Sequence, residues 1–159
     1  MIAAVLLLAT QAAAQPPSLS AFAPFLDGCW RTELGVTVSD VHCFEPMYGG
    51  KFIRDKHVVK GKNGDYLGET IYGFDARSKQ IAYWYFSSDG DIDQSSVLPV
   101  ADGFDFPERH LTQPQDVVMR THWKRLGDNG YEAINQRKNA EGKWETEWKV
   151  DYVRATKAR

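Results

Sequence analysis

Residues 144–152, Trp-Glu-Thr-Glu-Trp-Lys-Val-Asp-Tyr, decide the fold. Trp144, Thr146, Trp148, Val150 and Tyr152 alternate with Glu145, Glu147, Lys149 and Asp151. Successive side chains of a β-strand point to opposite faces, so this stretch reads as a strand with one dry face and one charged face. Such a strand covers a core on one side and meets water on the other.

Working back along the chain, the same period of two recurs, broken at roughly 8–12-residue intervals by turn residues, while helical periodicity is nearly absent. His57–Phe74 reads as two strands about Asn63-Gly64, a pair that accepts the positive φ angles of a two-residue hairpin. Loops are expected at Asp75–Lys79 and Ser87–Asp91, and turns at Asp128-Asn129-Gly130 and Glu141-Gly142. Consecutive hairpins form a meander. A flat meander of about eight to ten strands leaves unpaired edges, so the expected fold is all-β, an antiparallel up-and-down barrel. Ser18–Leu26, with Ser18 or Ser20 as cap and Phe22, Phe25 and Leu26 apolar, predicts a short amino-terminal plug helix over one mouth.

The first residues, Met1–Ala14, carry an apolar run ending in Ala12-Ala13-Ala14, the small-residue pattern of a signal-peptide cleavage site, although no Lys or Arg precedes the run. The run is shorter than the ~20 apolar residues that span a bilayer. The expected organisation is a signal peptide at residues 1–14 and a single domain at residues 15–159, exported to the periplasm or the medium, with no transmembrane segment in the mature chain. The formal net charge is -2 and the charges are interspersed, so no basic patch marks nucleic acid as a partner.

Gly28-x-Trp30 at the head of the first strand, with Arg154 near the end of the last, resembles the signature of the calycin superfamily, which includes the lipocalins. Residues 72–90, Tyr-Gly-Phe-Asp-Ala-Arg through Ser-Asp-Gly, are similar to exported lipocalin-like bacterial domains. The resemblance implies that Trp30 closes one end of the barrel, that Arg154 packs across its ring, and that the barrel binds a small hydrophobic ligand. It also brings up haem, held in some related barrels by a histidine near the carboxy terminus. No histidine follows His122 here, so haem would need another ligand, and no cofactor is expected.

A tight turn centred near Val36 sets Trp30 opposite His42 and Cys29 opposite Cys43. In an exported chain two such cysteines usually pair, and closing a 15-residue loop contributes ~3 kcal/mol on the chain-entropy model; the alternative is two buried thiols. No C-x-x-C, G-x-S-x-G or phosphate-binding glycine loop is present. The four histidines show no zinc-ligand spacing, and Asp89–Asp93 departs from a calcium loop and reads as a polar turn. No metal site is expected.

Carrying Trp30's inward parity through His42 and Phe44, with a turn at Met47–Gly49, points Phe52, Arg54, Glu69, Ile71, Tyr83 and Tyr85 inward. Met119, Thr121, Trp123 and Ile134 form the apolar side of a later hairpin, and Trp148 joins them. One inserted residue instead buries His57, Thr70, Tyr72, Trp84 and Phe86. The expected ligand-binding set is Arg54, Glu69, Ile71, Tyr83, Tyr85, Met119, Trp123 and Trp148; Arg54 and Glu69 would orient a small hydrophobic or aromatic molecule, without catalysis. Two alternatives stand beside it. One is a barrel isomerase or hydrolase with Glu69 as base and Tyr83 or Tyr85 as acid; the other is a protein-interaction module acting through its outer face or plug.

Overall fold

The computed structural model describes residues 18–26, 28–111 and 116–155; the expected leader, residues 1–14, lies outside them. Ten strands follow in chain order: β1 (Gly28–Gly35), β2 (Val38–Met47), β3 (Phe52–Gly61), β4 (Gly64–Asp75), β5 (Gln80–Ser87), β6 (Ile92–Val100), β7 (Gly103–Leu111), β8 (Val117–Arg125), β9 (Gly130–Lys138) and β10 (Trp144–Ala155). Each pairs antiparallel with its neighbour, and β10 returns to β1, giving a closed up-and-down barrel without free edges. No helix among the described residues is long and apolar enough to cross a membrane.

A 3-10 turn, Leu19–Phe25, precedes the barrel, with Ser18 Oγ accepting the Ser20 N–H at 3.2 Å. It pushes Phe22 and Phe25, both essentially unexposed, into one end. Phe22 stacks on Phe104 at 4.3 Å and meets Tyr72 at 4.6 Å, while Phe25 contacts Trp30, Phe44 and Tyr131. These rings, with Ile53, Ile81 and Val97, form the core at that end. The plug therefore supplies a large part of the apolar interior.

Trp30 pairs with Arg154 across β1 and β10. The Arg154 guanidinium carbon lies 4.4 Å from the Trp30 ring centroid, and Arg154 Nη2 donates to Pro24 O at 2.9 Å. Trp30 Nε1 donates to Phe25 O at 3.1 Å, so indole and guanidinium together fasten the plug to the seam where the barrel closes. Gly28 has its own reason. A Cβ there would collide with Arg154 Nη1, so the glycine makes room for the guanidinium across the seam. Cys29 and Cys43 are paired in register and joined by a disulfide between β1 and β2.

Two connections differ in length from the expectation, and parity follows them. Met47 pairs with Phe52 across the four residues Tyr48–Lys51, three of which (Tyr48, Gly49, Gly50) have positive φ, where a turn at Met47–Gly49 was expected. The longer turn sets Phe44 opposite Asp55 and His42 opposite His57. Every side chain of β3 and β4 thereby changes face: Ile53, Asp55, His57, Thr70 and Tyr72 turn inward, while Phe52, Arg54, Glu69 and Ile71 turn outward. The β3–β4 turn lies at Lys62-Asn63, one place before the expected Asn63-Gly64, yet keeps Arg54 on the face of Ile71. Asp75 then pairs with Gln80 across four residues, ending at Lys79 with φ 61°, and this second change returns Tyr83 and Tyr85 to the interior. On β10 a bulge between Thr146 and Trp148 splits the alternation. Trp148, Val150 and Tyr152 face in with Asn135, Ala133 and Tyr131, whereas Trp144 sits outside under Arg120 and Lys138. Ile134, paired with His122, is also outside.

Candidate functional site

The end of the barrel away from the plug encloses a cavity of about 240 Å³. The rings of Trp123 and Tyr131 separate it from the plug, each lying within about 6 Å of Phe25. Tyr72, Tyr83, Tyr85, Phe106, Trp148 and Tyr152 complete the aromatic wall. At the mouth the Tyr66 and Tyr85 hydroxyls are 2.5 Å apart, and Gly68 leaves the space that the Tyr85 ring occupies. Trp148 stands across the mouth, 42% exposed.

One side wall is ionic. Asp40 and His42 are two apart on β2, and Asp55 and His57 two apart on β3, so all four face inward. His42 Nδ1 lies 2.6 Å from Asp55 Oδ2, and its Nε2 lies 3.6 Å from Asp40 Oδ2. Tyr152 donates its hydroxyl to Asp40 Oδ2 at 2.6 Å. The His42 and His57 rings stack at 4.3 Å, 14° from parallel. His57 Nε2 approaches Asp40 Oδ1 to 2.8 Å, but neither atom completes a hydrogen bond, so their contact is one of proximity rather than direction. Asp55 Oδ1 likewise has no donor.

Burial by itself would push the His42 imidazolium toward deprotonation, yet the adjoining Asp55 and Asp40 carboxylates more than offset it and raise its pKa to about 10. For Asp40 burial works upward, and the two histidines together hold it far below the usual carboxylate range. Burial, followed by the neighbouring Asp40 carboxylate, pushes the Tyr152 hydroxyl well above the ordinary phenol value, so it remains a donor.

The opposite wall carries a smaller polar group. Arg109 Nη1 donates to the Tyr83 hydroxyl at 2.5 Å and lies 3.1 Å from Asp93 Oδ2. Here β6 and β7 pair only over Leu98–Val100 and Gly103–Asp105, and β7 is bulged between Phe106 and Arg109. The Asp93–Arg109 pair bridges the unpaired stretch from inside. Asp93, expected within a polar turn, is therefore a wall residue.

Asp40, His42 and His57 each offer a ligating atom within 4.8 Å of the others. Coordinating nitrogens direct their lone pairs at the ion within the ring plane, and two nearly parallel stacked rings cannot converge on one point. The spacing of the three ligating atoms suits an ion, and the orientation of the two stacked rings opposes one.

Of the expected binding residues, Tyr83, Tyr85, Trp123 and Trp148 line the cavity. Met119 shares Trp123's parity but does not line it. Arg54, Glu69 and Ile71 are displaced to the outer wall by the β2–β3 connection, and Arg54 there pairs with Glu45, its Nε donating at 2.6 Å. A base at Glu69 working with Tyr83 or Tyr85 inside the barrel has no geometric support. The polar residues missed were Asp40, Asp55, Asp93 and Arg109, and Phe106 and Tyr131 were missed among the rings. Asp40-x-His42 is itself a two-apart pair on one strand face, and it carried the signal. Comparison with models of known protein families finds no match, and comparison with curated proteins finds none either.

Proposed function

We propose that this chain is an exported, calycin-like barrel that binds a small aromatic or hydrophobic molecule at the end opposite its plug. The observation that carries the reading is the aromatic cavity of about 240 Å³ left between the plug layer and the mouth. A dry cavity of roughly 150 Å³ already accommodates benzene, so this one takes a single ring with a short substituent. Ring stacking on Trp123, Tyr72 and Tyr85 supplies affinity, and the ionic wall orients the polar end. Export is supported by the disulfide, which persists in oxidising compartments, and by the signal-like leader.

Calorimetric titration with indole tests the binding. Saturable 1:1 binding is expected in the native protein and its loss in Thr121→Trp, which fills the cavity from β8, with the thermal midpoint retained. Absence of saturable binding in the native protein refutes the reading. Native mass spectrometry of protein from its own source then gives the mass of the resident molecule.

A further inference from the structure

We infer that the ligand enters and leaves this cavity through the side wall, by a parting of β6 from β7 that Arg109 latches shut. The route rests on the ligand-binding reading and adds to it the residue that controls exchange.

The barrel is joined unevenly. From β1 to β6, and again from β7 to β10, neighbouring strands pair along most of their lengths. These two runs meet at two short seams, both at the plug end: Leu98–Val100 with Gly103–Asp105, and Cys29–Arg31 with Val153–Ala155. Beyond the first seam, Ile92–Val97 has no partner on β7 and Phe106–Leu111 none on β6. The fold is therefore two curved sheets held together at the plug, where Phe22 touches Tyr72 and Phe104, and Phe25 touches Phe44 and Tyr131. Stretches that share few backbone bonds are the first to open.

Side chains decide which seam parts. The β10–β1 seam is crossed just past its last pair by the Tyr152 hydroxyl on Asp40 at 2.6 Å, and both residues are 5% exposed. The β6–β7 seam is crossed much nearer the mouth, at Asp93, about 16 Å along β6 from Leu98 at ~3.3 Å per residue. There Arg109 Nη1 alone reaches both Asp93 and Tyr83, while its buried Nε donates to nothing among the described residues. The Arg109 and Asp93 side chains are 25% and 26% exposed, so water competes for the pair and it breaks and re-forms readily. The wall beside the latch is thin: Phe106 and Thr121 line both the cavity and an outer groove bounded by Leu98, Pro107 and Ile134. The mouth is firmer on the β4–β5 side, where pairing runs out to Gly68 and Ser87 and Tyr85 is seated against Gly68 with its hydroxyl on Tyr66.

Exchange of 5-fluoroindole tests the route, with the dissociation rate from fluorine NMR exchange spectroscopy and affinity from calorimetry. Gln94→Cys with Glu108→Cys puts exposed thiols on both sides of the latch, outside the cavity, and a short bis-maleimide staples them. Stapling is expected to slow association and dissociation at least tenfold relative to the same protein unstapled, with affinity held within twofold. Arg109→Met is expected to speed association as well as dissociation, whereas loss of a residue that only held the ligand would change dissociation alone. Tyr66→Phe, at the mouth, is expected to change neither rate. Undiminished exchange in the stapled protein, or faster exchange in Tyr66→Phe, overturns the route while leaving the binding reading intact; faster dissociation alone in Arg109→Met overturns the latch. Absence of saturable binding of both 5-fluoroindole and indole to the native protein overturns both readings. Should Arg109→Met not fold, the stapled protein decides alone.

Discussion

Truncating Trp30 to alanine tests the closure of the barrel. Trp30 is 2% exposed, stands between Phe25 and Tyr131 with centroids at 5.6 and 5.3 Å, and gives its only N–H to Phe25 O. Removing a buried indole typically costs ~3–5 kcal/mol, and leaving a buried carbonyl without its donor adds ~1 kcal/mol or more. A loss of roughly 4–6 kcal/mol is expected, a large share of the ~5–15 kcal/mol that holds a domain folded. Trp30→Phe keeps most of the ring contacts and forfeits the hydrogen bond, so ~1–2 kcal/mol is expected there. The Arg154 stack is isolated by a double-mutant cycle of Trp30→Leu with Arg154→Met. The arginine's bonds to Pro24 O and Asp128 O are lost in both backgrounds and cancel, leaving a coupling of ~1 kcal/mol. Urea unfolding followed by near-ultraviolet circular dichroism reads the native protein and all five variants, with a constant m-value as the check on two-state behaviour. A cost below ~1 kcal/mol for Trp30→Ala would show that the plug is not anchored as described, given the scale set for buried aromatics. A coupling of zero would remove Arg154 from the closure.

Three further outcomes follow from the same structure. Reduction of Cys29–Cys43 should add two hydrogens to the intact mass and lower stability by ~3 kcal/mol, or roughly 6–12 °C in thermal midpoint, as judged by calorimetry with and without reductant; two alkylatable thiols in unreduced protein would contradict the bridge. Because His42 has a pKa near 10 when folded and 6.5 as its reference value, the folded chain retains a proton that the unfolded chain releases as pH rises through that interval. Its contribution is thus complete below about pH 6.5 and lost on approach to pH 10, so the urea midpoint should fall across that range and His42→Gln should flatten the fall; a native midpoint that stays level or rises refutes the assignment. Arg54→Met removes a partly exposed ion pair with Glu45 and should change stability by less than ~1 kcal/mol, leaving indole affinity untouched. Loss of indole binding in that variant would mean that Arg54 faces the cavity and that the β2–β3 register is other than described.

The period of two in Trp144–Tyr152 and its upstream repeats sufficed for an antiparallel meander, because strand alternation is a local property of the backbone. Trp30 stands opposite His42 and Cys29 opposite Cys43 as the turn near Val36 led one to expect, although the turn is Val36-Thr37 and a bulge between Glu33 and Gly35 brings the strands into that register. The plug was legible too, from Ser18 and the spacing of Phe22 and Phe25.

Inside and outside were not legible beyond β2. Parity is a running sum along the chain, so each connection that is one residue longer or shorter inverts everything after it until another restores it. Tyr48–Lys51 made the first inversion and the Asp75–Gln80 connection the second, which is why Tyr83 and Tyr85 were placed correctly while Arg54 and Glu69 between them were not. The bulge at Thr146/Trp148 separated Trp144 from Trp148 in the same way, within the very stretch whose alternation announced the fold. The sequence by itself determined that this protein is a barrel of strands with a plug at one end and a bridge between its first two strands. Only the tertiary structure decided that the cavity wall is Asp40, His42, Asp55 and His57, since their meeting depends on the length of one connection, and a pair of carboxylates becomes a site only when packing brings it out of water beside two imidazoles.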